Sequence, residues 1–143
     1  MYLIDVNVLV YAHRQESKDH EAYLEWLEGV IDSDQAYGVS EHVLAGFLRV
    51  VTHPSVFDPP SSLDDALQFA VKVREQPNAV RVTPGPRHWD IFTQLCRETR
   101  AKGNLMPDAF LAALAIESGS EWVTTDRDFG RFSGLRWSHP LRN

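Results

Sequence analysis

The sequence predicts an α/β fold: a parallel sheet with helices on both faces. Two observations carry that expectation. Short apolar runs alternate with amphipathic stretches of helical period along the whole chain. Aspartates stand at or just past the ends of two of those runs, where sheets of this kind collect their ligands. A length of 143 residues, 43% of them hydrophobic and 24% charged, supports one domain over residues 1–143, with about two-thirds of the chain's surface buried.

The first strand is predicted over residues 2–5 and ends on Asp5, and Val6 to His13 continues as a helix. From Lys18 to Asp32 the apolar positions Tyr23, Trp26, Leu27, Val30 and Ile31 fall at i, i+3, i+4, i+7 and i+8, a helix with one buried stripe. Ala36 to Val39 reads as the second strand. Glu41 to Thr52 reads as a helix through Val43, Leu44, Phe47, Leu48 and Val51, stopped by His53-Pro54. Residues 54–61 hold three prolines and form a loop. A helix capped by Ser62 follows, expected to bury Leu63, Leu67, Ala70 and Val71. Ala79 to Thr83 is a strand and Pro84-Gly85-Pro86 a turn, after which Trp89, Phe92, Leu95 and Cys96 line a helix. Pro107 suits a first helical position, ahead of the nearly all-apolar Ala109 to Ile116. Glu121 to Thr125 and Leu135 to Trp137 complete the strands.

The single cysteine, Cys96, excludes a disulfide framework and a cysteine-based zinc cluster. No apolar run approaches the ~18 residues that a membrane span needs, and the opening Met1-Tyr2-Leu3-Ile4-Asp5 lacks the pattern of a signal peptide. A cytoplasmic location is the expectation. Acidic residues outnumber Lys and Arg by 20 to 14, for a net charge of −6. That argues against a passive nucleic-acid coat, which relies on excess basic charge. It leaves open an enzyme that acts on nucleic acid through bound divalent cations.

Asp5, Asp108 and Asp126 are the candidate site residues, since all three can converge on one edge of the sheet. Asp108 lies in a first helical turn, which the helix dipole favours anyway, and Asp126 after a strand could serve only as a turn former. Asp5 interrupts the apolar run Leu3-Ile4-Asp5-Val6, where a buried carboxylate is costly unless it is paired or metal-bound. Clustered carboxylates suit Mg²⁺ and Mn²⁺, hard cations that take oxygen ligands and can supply a hydroxide nucleophile near neutral pH. The sequence contains no G-x-S-x-G elbow and no P-loop. Its six histidines show no zinc-ligand spacing, and His20 and His53 read as capping or packing residues.

Leu3-Ile4-Asp5-Val6-Asn7-Val8-Leu9-Val10 resembles the opening signature of PIN domains, an apolar strand followed by Asp-x-Asn/Thr/Ser. Asn104 to Ala115, with Pro107-Asp108 inside it, is similar to their third acidic motif, and Val123-Thr124-Thr125-Asp126-Arg127-Asp128-Phe129 to their fourth. Phe47 to Pro54 and Phe132 to Trp137 look like the VapC toxin branch of that family. The resemblance spans essentially the whole chain. It implies a PIN-like three-layer α/β/α sandwich with a central parallel sheet. It also implies an Mg²⁺-dependent endoribonuclease, with Mn²⁺ as a substitute, that acts on RNA and is held inactive by a cognate VapB-type antitoxin. A homodimer is implied as well. By position, Asp5 and Asp108 would be the principal metal ligands, Asp126 would support the metal directly or through water, and Asn7 would orient Asp5 or a metal-bound water. Asp128 is better read as a solvated turn residue.

The second acid departs from the family pattern. Where the family has a glutamate in a run like Leu-Ala-Glu-Leu, this chain has Leu44-Ala45-Gly46-Phe47. Glu41 is the nearest substitute, but five residues are ~7.5 Å and ~140° away on a helix. Glu41 therefore joins the candidate catalytic set as a replacement, with an ordinary N-terminal charge as its other reading. The departure also motivates an alternative function, a PIN fold with weakened catalysis that serves as a binding module. An aspartate-nucleophile phosphatase would want an aspartate where Asn7 stands, and a receiver-like domain would want a lysine better placed than Lys102.

Overall fold

Five short strands form one fully parallel sheet in the computed structural model, which describes residues 1–142; Asn143, the last residue of the expected domain, lies outside the described residues. The elements run β1 (Tyr2–Ile4), α1 (Val6–His13), α2 (His20–Ile31), β2 (Tyr37–Val39), α3 (Glu41–Val51), α4 (Leu63–Arg74), β3 (Ala79–Arg81), α5 (His88–Thr99), α6 (Leu105–Ser118), β4 (Glu121–Val123), a 3₁₀ turn (Arg127–Arg131) and β5 (Trp137–Ser138). The strand order is β3-β2-β1-β4-β5. Right-handed crossovers place α1 to α4 on one face and α5 and α6 on the other, which is the three-layer sandwich expected from the sequence. The chain reverses its direction across the sheet between β1 and β4, whose pairing sets Ile4 beside Val123. The carboxyl ends of these two strands therefore border the crevice in which open α/β sheets bind ligands.

Local chemistry accounts for most element boundaries. Ser40 caps α3 by accepting from the Val43 N–H at 3.3 Å, and Ser62 caps α4 by accepting from the Asp65 N–H at 3.1 Å. Tyr23, Leu27 and Ile31 bury the stripe of α2, and Val43, Leu44, Phe47 and Val51 that of α3. His20 Nδ1 lies 2.8 Å from the Tyr11 carbonyl, and His53 Nδ1 accepts from the Ser55 N–H, so both histidines cap or pack.

Four expectations are corrected. On α4, Leu63, Leu67 and Val71 point outward, with Leu63 at 63% exposure, whereas Ala70 is buried as expected and Ala66 and Val73 are buried with it. Both rows have helical spacing. Phe69 decides between them by wedging its ring against Phe47 and His13, 5.1 and 4.9 Å away. On α5, Trp89 stands 68% exposed while His88 takes the buried place, its Nε2 3.0 Å from the Phe110 carbonyl. Pro107 is the third helical residue rather than the first, still within the turn whose N–H groups lack helical acceptors. The last strand is Trp137–Ser138 rather than 135–137, held by the Thr124 N–H donating to the Ser138 carbonyl at 3.0 Å.

Candidate active site

Asp5 follows β1 and opens α1, so its backbone belongs to the sheet and its side chain to the helix terminus. Its N–H donates to the Val123 carbonyl at 2.9 Å, which pins it against β4. Its carboxylate is 6% exposed. Oδ1 accepts from the Val6 N–H at 2.7 Å and Oδ2 from the Thr124 hydroxyl at 2.6 Å. Burial pushes the Asp5 carboxyl up to about 6; the two hydrogen bonds oppose that shift, and the charges of Asp108 and Asp126 add to it.

Asp108 sits in the first turn of α6, and its carboxyl is also raised, by burial first and then by Asp126, against a lowering by Arg131. Asp126 caps the 3₁₀ turn, its Oδ1 accepting from the Asp128 N–H at 2.9 Å. The three aspartates therefore act on one another electrostatically, as their placement at strand and helix ends suggested. Asn7, one helical step beyond Val6, has its Oδ1 buried with no hydrogen-bond partner among the described residues. A buried amide oxygen left empty is rare in folded proteins. Asp128 is 71% exposed at its side chain and lies 3.6 Å from Arg131, a solvated turn residue as read.

Glu41 is not brought to this group. Arg74 from α4 holds it, with Nε 3.0 Å and a terminal nitrogen 2.9 Å from Oε2. Gly46, by contrast, faces the site's edge. A Cβ placed on it would come 3.1 Å from Cγ2 of Val6, the residue after Asp5. The helical position that departs from the family pattern therefore packs against the residue after Asp5.

Thr124 is the residue the sequence reading missed. It is fully buried, donates to Asp5, and accepts from the Asp126 N–H at 3.0 Å. One hydroxyl thus ties the first acid to the last. The signal was present as Thr-x-Asp at a strand end, a spacing at which a threonine hydroxyl accepts from the backbone two residues on. Thr124→Val should keep the volume and leave Asp5 Oδ2 and the Asp126 N–H unpaired. The expected cost is about 1–3 kcal/mol in urea unfolding at pH 7.5.

The donor set is all oxygen, and the charge it concentrates is met by Arg131 alone among the cations that act on Asp5 or Asp108. Carboxylates that raise one another, with the unpartnered Asn7 amide oxygen two residues from Asp5 in the chain, fit a hard divalent cation. Among the described residues no three acids or imidazoles stand close enough to share one ion directly, so water would complete its shell, the usual habit of Mg²⁺.

The fold and the crevice place the protein in a known class: a PIN domain family model matches residues 2–135, and the chain belongs to that family. Its relatives are VapC ribonucleases. It is 47% identical over 141 residues to ribonuclease VapC43 of Mycobacterium tuberculosis, covering 99% of this chain and 96% of that one. It is 41% identical over 140 residues to ribonuclease VapC25 of the same species, covering 98% and 99%. Among solved structures, VapBC2 from Rickettsia felis, bound to a DNA fragment from its promoter, superposes with a TM-score of 0.70 at 18% identity, covering 96% of this chain and 97% of that one. VapC20 of Mycobacterium tuberculosis, a sarcin-ricin loop cleaving toxin, does so with 0.64 at 16%, covering 95% and 99%. Among the described residues no helix is long and apolar enough to cross a membrane.

Proposed function

We propose that this chain is the toxin of a toxin–antitoxin pair: a single-domain, Mg²⁺-dependent endoribonuclease acting in the cytoplasm as a homodimer, with a VapB-type antitoxin as its partner. The observation that carries this reading is Asp5, a buried carboxylate pushed up to about 6, on which Asp108 and Asp126 act, with an unpartnered Asn7 amide oxygen two residues along the chain. Kinship with VapC ribonucleases, and with structures of VapBC complexes, supports the substrate and the partner.

Asp5 and Asp108 would hold the cation and Asp126 would support it through water, with Asn7 presenting its amide oxygen to it or to a coordinated water. Bound there, Mg²⁺ or Mn²⁺ would polarise the scissile phosphate and lower the pKa of water. The protein's part is to keep the carboxylates in place. The Val6 N–H and the Thr124 hydroxyl fix both Asp5 oxygens, and Thr124 sets the start of the turn carrying Asp126. A ribonuclease assay on purified protein, with Mg²⁺, Mn²⁺ and EDTA lanes, tests the reading. Cleavage that survives EDTA and co-purifies with the chain would overturn it.

Gly46 favours the second reading, a PIN fold that binds without cutting, and one pair of variants separates the two. With Glu41 held by Arg74, Glu41→Gln is expected to leave cleavage within about twofold and to cost less than about 1 kcal/mol, as for other exposed ion pairs. Gly46→Glu requires Val6 to give way by a few tenths of an ångström and should raise cleavage by adding a carboxylate beside Asp5. A wild type silent with every metal, and activated only by Gly46→Glu, would identify a binding module.

A further inference from the structure

A feature of opposite charge begins one residue after Asp126. Arg127 directly follows Asp126, and His139 directly follows β5 at the same sheet edge. Together with Trp137, Ser138 and Arg142 they line a cavity of about 280 Å³. Every ionisable side chain in that lining is basic, in a chain whose net charge is −6. Arg14, Arg74 and Arg131 each have a carboxylate partner; among the described residues neither Arg127 nor Arg142 has one. Both arginines bear on the same ring: the His139 imidazole is held below its usual value by burial, then by Arg142 and Arg127. Gly130 leaves room for the indole, since a Cβ there would come 3.3 Å from Trp137 Nε1.

Two guanidiniums on one cavity, with no carboxylate partner among the described residues, call for an anion, and an aromatic wall beside them calls for a flat apolar group. We propose that this cavity is a nucleotide subsite, in which Arg127 and Arg142 take a phosphate of the RNA chain and Trp137 stacks on its base. The inference rests on the ribonuclease reading and extends it to how the substrate is held. The three aspartates repel a polyanion, and basic groups without carboxylate partners elsewhere on the chain offset that repulsion. Neighbouring Cα atoms are about 3.8 Å apart, so the backbone that carries Arg127 adjoins the one that carries Asp126. Arginine forks match phosphate oxygens, and stacking on tryptophan tolerates any base. The volume is at the lower end of small-ligand cavities, roughly 300 Å³ and upward, which suits one nucleotide.

The test is binding of a fluorescein-labelled oligouridylate to the full chain in EDTA, read by anisotropy across a salt series. Arg127→Gln and Arg142→Gln are expected to weaken binding about tenfold each. Each should also lower the slope of log affinity on log salt by about 0.7, the share of one single-strand phosphate contact. In Mg²⁺ cleavage assays Arg142→Gln should raise KM and leave kcat within about twofold. Arg136→Gln is the control, because that side chain donates to the Gly119 carbonyl near the start of β5; it should bind as wild type. Affinities and slopes equal to those of the wild type in both pocket variants, with a wild type that cleaves, overturn the subsite and leave the nuclease reading standing. A comparable loss in Arg136→Gln overturns it too, since overall charge would then explain the effect. A pocket variant that keeps its RNA affinity and loses an antitoxin overturns the RNA assignment in favour of a protein ligand. A wild type that neither binds nor cleaves RNA overturns both readings.

Discussion

Asp5→Asn is expected to abolish RNA cleavage, by at least about a thousandfold, while making the metal-free protein more stable at pH 7.5. The loss follows from replacing the buried anionic ligand of the site with a neutral amide, which a hard cation prefers far less. The gain follows from linkage. The folded-state value of Asp5 is raised, from the ordinary 3.8 to about 6. The protonated carboxyl therefore favours the fold below about pH 4, and that contribution is lost as the pH rises through about 6. Two pKa units are about 3 kcal/mol, so the ionised carboxylate penalises the metal-free fold by up to that amount at pH 7.5. Asparagine is nearly isosteric, can accept from Val6, and does not ionise. Urea melts of both proteins in EDTA should differ by about 1–3 kcal/mol in the variant's favour at pH 7.5 and converge near pH 4. Equal stabilities at both pH values would show that Asp5 is solvated after all, and the site argument would fail with it.

Chelation is expected to produce the second large effect: EDTA should lower cleavage to background, and an excess of Mg²⁺ or Mn²⁺ should restore it. The same titration has a signature that does not depend on activity. A cation that binds only the folded site stabilises by mass action, about 2.7 kcal/mol at a hundredfold excess over Kd. Wild-type melting temperature should therefore rise with Mg²⁺, while Asp5→Asn and Asp108→Asn respond weakly or not at all. Asp108→Asn should also lose cleavage, since Asp108 opens α6 with its carboxyl already raised by burial and by Asp126. An Mg²⁺ response of equal size in wild type and both variants would place the cation elsewhere.

The aspartates stand out in the sequence as candidates because their signals are local. An aspartate that breaks an apolar strand, one in a first helical turn and one past a strand end are each recognisable within a few residues, and the parallel sheet then brings those ends to one edge. Glu41 was proposed on the same local logic, and the structure gives it a different companion. Arg74 reaches it from 33 positions away, a pairing set by how α4 lies on α3. The Thr124 bond to Asp5 spans 119 positions and exists only because β1 and β4 are neighbours.

From the sequence alone came the order of helices and strands, the α/β class, the three aspartates and the gap at Gly46. Periodicity, capping and chain punctuation act over single turns, so they are written along the chain. Tertiary structure alone decided which of two apolar rows on α4 faces inward, that Trp89 stands outside while His88 goes in, and that one threonine hydroxyl links the first and last acids. It also decided that Arg127 and Arg142 share a cavity. Each of those outcomes depends on which side chain a distant element presses against, and packing makes that choice only once the elements have met.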